Sequence, residues 1–223
     1  MKPFIFKTCL LATVVMCLAG CTDDRDWIML QQEAAKLIEA GDLEGAEDLA
    51  QKSLTRAEDT LGPDHADVAH VHNTLAMVAY GKQDYAQTEA HHRRALAIQE
   101  QALAEHDLEI GRTLTYLGDF FLSQRKLTEA VDLHERAHTI LVSNIGDHHP
   151  DVGRSMNNLA RLYTAQNRLR DAADHHTQAL AILEPVLGAD DPEVKMVIDN
   201  LTTLYSDIVP PEAKDTPQPV ESP

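Results

Sequence analysis

Cysteine and serine are the side chains of this sequence that could act as nucleophiles, and cysteine could also hold a metal. All three cysteines lie within the first 21 of the 223 residues, at Cys9, Cys17 and Cys21. No later position can therefore form a disulfide, a thiolate metal cluster or a cysteine nucleophile. The serines lie in no Gly-x-Ser-x-Gly nucleophile motif, and the sequence has no glycine-rich phosphate loop. We therefore predict no catalytic site and no cofactor, and expect that the protein is not an enzyme.

Twelve histidines make a metal site the next chemistry to consider. Adjacent pairs occur at His91-His92, His148-His149 and His175-His176. Neighbouring residues on an α-helix project about 100° apart, so the two members of a helical pair cannot face one ion. His92, His134 and His176 recur every 42 residues, which would place them on helices about 8–10 Å apart, whereas zinc binds an imidazole nitrogen at about 2 Å. We predict that these three pack inside helical hairpins and that the chain holds no metal.

The charge balance restricts the class of partner. The chain has 36 acidic and 19 basic side chains, a net charge of -17. Proteins bind phosphate backbones through lysine and arginine, so this balance excludes non-specific nucleic-acid binding. Aromatic residues make up only 4% of the chain, which argues against a β-sandwich, and the richness in alanine and leucine favours helices.

The first 20 residues have the pattern of a cleavable signal peptide. Lys2 and Lys7 precede an apolar run over 9–19, which is shorter than the about 20 apolar residues that a transmembrane helix needs. The run ends in Leu18-Ala19-Gly20-Cys21, which closely resembles the lipobox of bacterial lipoproteins. This resemblance implies cleavage before Cys21 and acylation of that cysteine with several chains, which anchor a protein stably. The alternative is an ordinary secretory signal with a chance cysteine after Gly20.

The same resemblance implies a location. Because Thr22 rather than an aspartate follows Cys21, we expect a lipid-anchored chain at the bacterial outer membrane that faces the periplasm. Retention at the inner membrane or display at the cell surface is the alternative. Residues 21–26 would form a short tether. Cleavage would remove Lys2 and Lys7, leaving 17 basic and 36 acidic side chains and a net charge of -19.

A period of 42 residues runs through the rest of the chain. Shifting the sequence by 42 superimposes, without gaps, Val68, Ile110, Val152 and Val194, and likewise Leu75, Leu117, Leu159 and Leu201. Within one period apolar residues recur at three- and four-residue steps, which is helical spacing, and a polar turn at Gln166-Asn167 interrupts them. Each period is therefore predicted to be a hairpin, with a helix A of about 15 residues and a helix B of about 20.

The fourth period shows the motif most clearly. It reads Asn157-Asn158-Leu159-Ala160-Arg161-Leu162-Tyr163, then Ala172-Ala173, Ala179-Leu180-Ala181-Ile182-Leu183, Gly188 and Asp191-Pro192. This pattern resembles the tetratricopeptide repeat of the kinesin-light-chain-like, 42-residue class. The resemblance implies an all-α, right-handed solenoid of helical hairpins over 27–208, with repeats at about 27–62, 63–104, 105–146 and 147–188 and a capping helix at 192–207.

Two segments depart from the repeat. The first repeat is degenerate, because Glu33 occupies the position of Leu75. Residues 209–223 contain five prolines, and we predict that they form a disordered acidic tail, which either has no role or serves as a proline-rich ligand.

The resemblance also places a binding groove on the helices A. Carrying over the family's groove positions gives the candidates Asn73, Arg112, Tyr116, Arg154, Asn157, Asn158, Arg161 and Asn200. Asparagine can both donate to and accept from a peptide backbone, and the arginine fork suits a carboxylate. The predicted partner is therefore a protein or peptide, with an acidic or C-terminal segment as one form. The alternative is that these arginines are solvated or salt-bridged, for example Arg154 with Asp151.

These features together predict a protein–protein interaction scaffold or adaptor: a membrane-anchored periplasmic lipoprotein that works in envelope assembly. Two alternatives stay open. The solenoid could be a non-catalytic targeting or regulatory subunit of a cell-wall enzyme, or a periplasmic holdase chaperone, since one repeat scaffold serves many ligands.

Overall fold

The computed structural model describes residues 26–208, and this part of the chain consists of α-helices without β-strands. Its helices are α1 (Asp26–Ala40), α2 (Leu43–Leu61), α3 (Ala66–Gly81), α4 (Tyr85–Ala102), α5 (Leu108–Ser123), α6 (Leu127–Ile145), α7 (Pro150–Ala165), α8 (Leu169–Leu187) and α9 (Pro192–Ile208). Odd-numbered helices are helices A, and even-numbered ones are helices B. The predicted all-α solenoid class is confirmed. The signal peptide (1–20), the lipid site Cys21 and the tail (209–223) lie outside the described residues.

The chain divides after Ala102 into two compact units. The first unit contains α1–α4, and in it α3 packs against α2 as well as against its hairpin partner α4. The second unit contains α5–α9, where α7 packs against α6 and α9 against α8 in the same way. Helices α3 and α7 therefore each bury one face against their own hairpin partner and another against the preceding hairpin of the same unit. Within residues 26–208 no helix combines the length and the apolar character needed to cross a bilayer.

All four hairpins close through the same backbone turn. One residue of the turn has a positive φ: 82° at Gly41, 61° at Gln83, 61° at Arg125 and 60° at Asn167. The residue after it donates its N–H to a carbonyl five positions back, as in the 2.8 Å bond from Asp84 to the oxygen of residue 79. This is the Schellman arrangement that ends many helices. Three hairpins thus hold a non-glycine residue in a conformation that costs about 1–2 kcal/mol.

The residue that starts helix B differs between the two units. In the first hairpin the Asp42 carboxylate accepts the backbone N–H of residue 45 at 3.0 Å, which is an N-cap. In the second unit a cation takes this position and lies over an aromatic ring of helix A instead. Lys126 is 5.0 Å from the centre of the Phe121 ring, and Arg168 is 4.2 Å from that of Tyr163. A cation–π contact, worth about 0.5–1 kcal/mol at an exposed site, therefore replaces the cap.

Helix B of the later three hairpins carries a buried imidazole at one repeat position. His92, His134 and His176 are 4%, 6% and 1% exposed, as expected for packing residues, and Ala50 occupies the position in the first hairpin. On the opposing helix A, a Cβ added to Gly118 would come within 2.7 Å of the His134 ring. The His134 ring therefore fits because the residue of helix A opposite it has no side chain. Desolvation by burial lowers the pKa of His92 and of His176 to about 4, so both are neutral at pH 7.

The first helix shows why the repeat degenerates at Glu33. In α3 the positions that face the preceding hairpin are Val68, Val71, Leu75 and Val78, all buried. The equivalent positions of α1 are Asp26, which forms an ion pair with Arg56 of α2, and Met29, Glu33 and Lys36, which are exposed. Met29 is 68% exposed, and Glu33 and Lys36 form an exposed ion pair at 3.0 Å. The apolar pattern is thus kept where a neighbouring helix covers it and lost where none does.

Glycine at the strained turn positions should stabilise the protein. Gln83→Gly and Arg125→Gly relieve the cost of a positive φ and are each expected to raise the free energy of unfolding in urea by about 0.5–1 kcal/mol. Gly41→Ala is the matched control, because a Cβ there meets nothing within 4 Å. Gly41→Ala should lower the free energy of unfolding by a similar amount, because a residue with a Cβ is strained at this positive φ. Shifts in the same direction for Gln83→Gly and Gly41→Ala would contradict this account of the turn.

Candidate protein-binding surface

Two of the predicted groove residues are buried inside their hairpins. Asn73 is 7% exposed, and its Oδ1 lies 2.9 Å from Nδ1 of His92 on the partner helix. Because the amide oxygen accepts, His92 carries its proton on Nδ1 and donates. Asn157 is 4% exposed, and its Oδ1 has no hydrogen-bond partner in the described chain. Both asparagines therefore serve the contact between helix A and helix B, and they do not present their amides to solvent.

Two of the predicted arginines are held by carboxylates of the second unit. Nη1 of Arg112 lies 3.0 Å from Glu109. Arg154 is bound on two sides: its Nε contacts Glu193 at 3.0 Å and its Nη1 contacts Asp151 at 2.6 Å. Hydrogen bonds to Glu193 and then to Asp151 raise the pKa of Arg154. The salt-bridged alternative is thus present for both arginines, although ion pairs this exposed contribute only about 0–1 kcal/mol to stability.

Three predicted residues remain available to a ligand. Asn158 and Arg161 are exposed on α7, and Asn200 is half-buried on α9. None of the three makes a hydrogen bond or an ion pair with another residue in 26–208. Asn158 and Asn200 are 42 residues apart, so they occupy the same position of consecutive helices A. Tyr116, on α5, keeps 43% of its side chain exposed. We call Asn158, Arg161 and Asn200 the contact set.

A cavity of about 470 Å³ in the second unit lies between α5, α6 and α7, and the sequence analysis missed it. Arg112, Arg154 and Asn158 are among its lining residues, together with His138 and Ser155. Nδ1 of His138 lies 2.6 Å from the Ser155 hydroxyl. A signal was available in the 42-residue alignment: the equivalents of these two residues one period later are apolar, Leu180 and Val197.

The His138–Ser155 pair is not set up as a nucleophile and its base. The Ser155 hydroxyl donates its proton to the backbone oxygen of Val152 at 2.9 Å, so His138 Nδ1 carries a proton and donates to Ser155. A general base would have to accept that hydroxyl proton. Burial, followed by the nearby charge of His175, lowers the pKa of His138. The neutral ring of His138 is thus a polar part of the cavity lining.

The first unit holds two imidazoles that face each other. Nδ1 of His72 and Nδ1 of His91 are 3.1 Å apart, with 5.3 Å between ring centres. Burial and the neighbouring charges of His91 and Arg94 lower the pKa of His72 to about 4, and burial also lowers the pKa of His91. The two neutral rings therefore share one hydrogen bond. No group of three or more histidine, cysteine or carboxylate side chains in 26–208 is arranged to hold a metal.

The family comparison agrees with this geometry. A tetratricopeptide-repeat family model matches residues 29–101 and 109–184. The nearly identical TPR-like repeats of a kinesin light chain candidate from Podosopora anserina superimpose with a TM-score of 0.74 at 19% identity, over 87% of this chain and 92% of that one. BtubC (BKLC) from P. vanneervenii gives a TM-score of 0.71 at 21% identity, over 97% of each chain. No curated protein matches the sequence.

The two structural likenesses are too distant in sequence to show more than the fold. The family model, by contrast, covers more than half of the chain. Its repeats indicate a protein–protein interaction scaffold, a fold that is in general non-catalytic. The chain belongs to the tetratricopeptide-repeat family.

Proposed function

We propose that the second unit binds a segment of another protein through the contact set, Asn158, Arg161 and Asn200. The observation that carries the proposal is that these side chains lie on successive helices A and have no polar partner among the described residues. A surface polar group without an internal partner can bond to a ligand without first breaking a bond within the protein. Asn73 and Asn157, which are buried, are not part of this surface.

The chemistry of the contact set describes the segment it would grip. Each asparagine amide can donate to a peptide carbonyl and accept from a peptide N–H, which suits an extended backbone of any sequence. Arg161 offers a guanidinium that no carboxylate of the described chain occupies, and it can form a paired contact with an aspartate, a glutamate or a C-terminal carboxylate. The proposed ligand is therefore an extended segment with an acidic group placed opposite Arg161.

The anchor proposal rests on the sequence before the first described helix. Acylation of Cys21 would hold the first residue of α1, Asp26, within about 18 Å of the lipid. The reason is that each of the five intervening steps along the chain spans at most about 3.6 Å. Partners tethered to the same membrane would then meet the scaffold at a raised effective concentration. We propose on this basis a periplasmic adaptor in envelope assembly, at the outer membrane. The regulatory subunit of a cell-wall enzyme and the holdase chaperone are the competing roles.

Removing the side chains of Arg161 and Asn200 should weaken partner capture without unfolding the protein. Pull-down from envelope extracts with Arg161→Ala/Asn200→Ala is expected to recover about tenfold less of the partner that the wild type captures at stoichiometric yield, since the charged hydrogen bonds to Arg161 are lost. Arg170→Ala, an exposed arginine on α8, is the matched control. Equal recovery by the double variant and the wild type would remove these residues from the site. Broad suppression of aggregation of unrelated unfolded proteins would instead support the chaperone.

Cys21 should carry the lipid. In cells grown with radiolabelled palmitate, the wild type is expected to incorporate label and to fractionate with the outer membrane, because the acyl chains partition into the bilayer. Cys21→Ser should lose the label, while Cys17→Ser, which leaves with the signal peptide, serves as the control for a nearby cysteine. Label that persists in Cys21→Ser would rule out the lipobox proposal.

A further inference from the structure

The step between α6 and α7 departs from the pattern of the α2–α3 and α8–α9 steps. At each of those two steps one residue of helix B and one of the following helix A share an apolar cluster. They are Leu54 and Val71 between α2 and α3, and Leu180 and Val197 between α8 and α9; each pair belongs to one apolar cluster. At the α6–α7 step the same positions are His138 and Ser155, which bond to each other at 2.6 Å. An apolar contact has thus been replaced by a polar pair at one step.

This replacement exchanges apolar burial for a hydrogen bond between the two side chains. A fully buried leucine or valine side chain contributes about 1.5–3 kcal/mol through burial, and the polar pair gives that up. A cavity of about 470 Å³ lies between α5, α6 and α7, and both residues of the polar pair line it. A break in a local rule without a gain in packing is expected at functional positions. The volume lies within the range of small-molecule sites, about 300–1,000 Å³.

The cavity has an apolar wall and a polar wall. Its apolar lining is Leu108, Ala137, Ile140, Leu141 and Ile145. Its polar lining includes the exposed residues Arg112, Arg154 and Asn158. A ligand that fills this space must therefore combine an apolar body with a head group that accepts hydrogen bonds.

The two arginines form ion pairs and still have donors to offer. Arg112 uses Nη1 for Glu109, and Arg154 uses Nε and Nη1 for Glu193 and Asp151. In the described chain no contact occupies Nη2 of either residue. These three carboxylates outnumber the two arginines, and Asp151 itself lines the cavity, so the net charge of the cluster does not attract an anion. Recognition must therefore come from the directed N–H groups. Planar N–H donors of this kind match a carboxylate.

We propose that this cavity is a binding site for a small amphipathic carboxylate, with its hydrocarbon part against the apolar wall and its carboxylate at Arg112 and Arg154. The site is distinct from the protein-binding function proposed above and does not depend on it, since Arg161 and Asn200 do not line the cavity. Asn158 belongs to both surfaces. A ligand in the cavity would contact Asn158 and could thereby alter the protein-binding surface.

Octanoate is the probe for this proposal. Titration into the full purified chain, followed by calorimetry and by the ring C–H signals of histidine, should show saturable binding at one site with a shift of the His138 signal. Arg112→Ala/Arg154→Ala removes the two charged donors at exposed positions. This variant is expected to melt near the wild-type temperature, since exposed ion pairs contribute little to stability, and to bind octanoate at least about tenfold more weakly, so loss of binding cannot be ascribed to unfolding.

Further arms separate the alternatives. Arg161→Ala/Asn200→Ala should bind octanoate like the wild type, so this site and the protein-binding surface can fail independently. Octanol should bind more weakly than octanoate, and equal binding of the two would overturn the carboxylate assignment. Absence of octanoate binding, or unchanged binding in Arg112→Ala/Arg154→Ala, would overturn the site. Binding of a short peptide with a free C-terminal leucine, but not of octanoate, would assign the cavity to a protein C-terminus and overturn the small-molecule proposal.

Discussion

The contact between helix A and helix B within a hairpin is the constraint on which the rest of the structure depends. Neither helix can bury its apolar face alone, and the side chains that helix A presents to solvent are oriented by how it sits on helix B. In the later three hairpins this contact contains a buried imidazole, at His92, His134 and His176. Burial without a countercharge disfavours the protonated ring, and it lowers the pKa of His92 and of His176 to about 4.

Departures from the 42-residue pattern carry the information about function. Where α1 lacks a neighbour in the described chain, the 42-residue pattern becomes polar. Glu33 and Lys36 there lie on a face that is exposed to solvent. At the α6–α7 step the neighbour is present, yet the pattern still turns polar at His138 and Ser155. The first departure follows from solvation alone. The second has no such cause, and the proposed carboxylate site rests on it.

The 42-residue period was enough to predict the fold, but it predicted only some of the residues of the binding surface. The spacing of apolar residues predicted helical hairpins and a polar turn at Gln166-Asn167, which the structure places between α7 and α8. Register alone could not separate Asn157 from Asn158, because neighbouring residues of one helix differ in burial only once the partner helix is in place. It also could not show that Glu193, from the next helix A, holds Arg154. The Leu-to-His change at His138 was visible in the alignment, but its meaning depends on the space it leaves.

The pH dependence of stability tests the central role of the buried imidazoles most directly. Their folded-state pKa lies near 4 for His72, His92 and His176, below the unfolded value of about 6.5, so their contribution to stability is complete above pH 6.5 and is lost as the pH falls toward 4. Between pH 7.5 and 5.0 each should cost about 2 kcal/mol of the free energy of unfolding in urea. His176→Phe, which keeps a ring but cannot titrate, should lose about 2 kcal/mol less than the wild type over this interval, while His148→Gln at an exposed site should match the wild type. The same loss in His176→Phe as in the wild type would contradict the account.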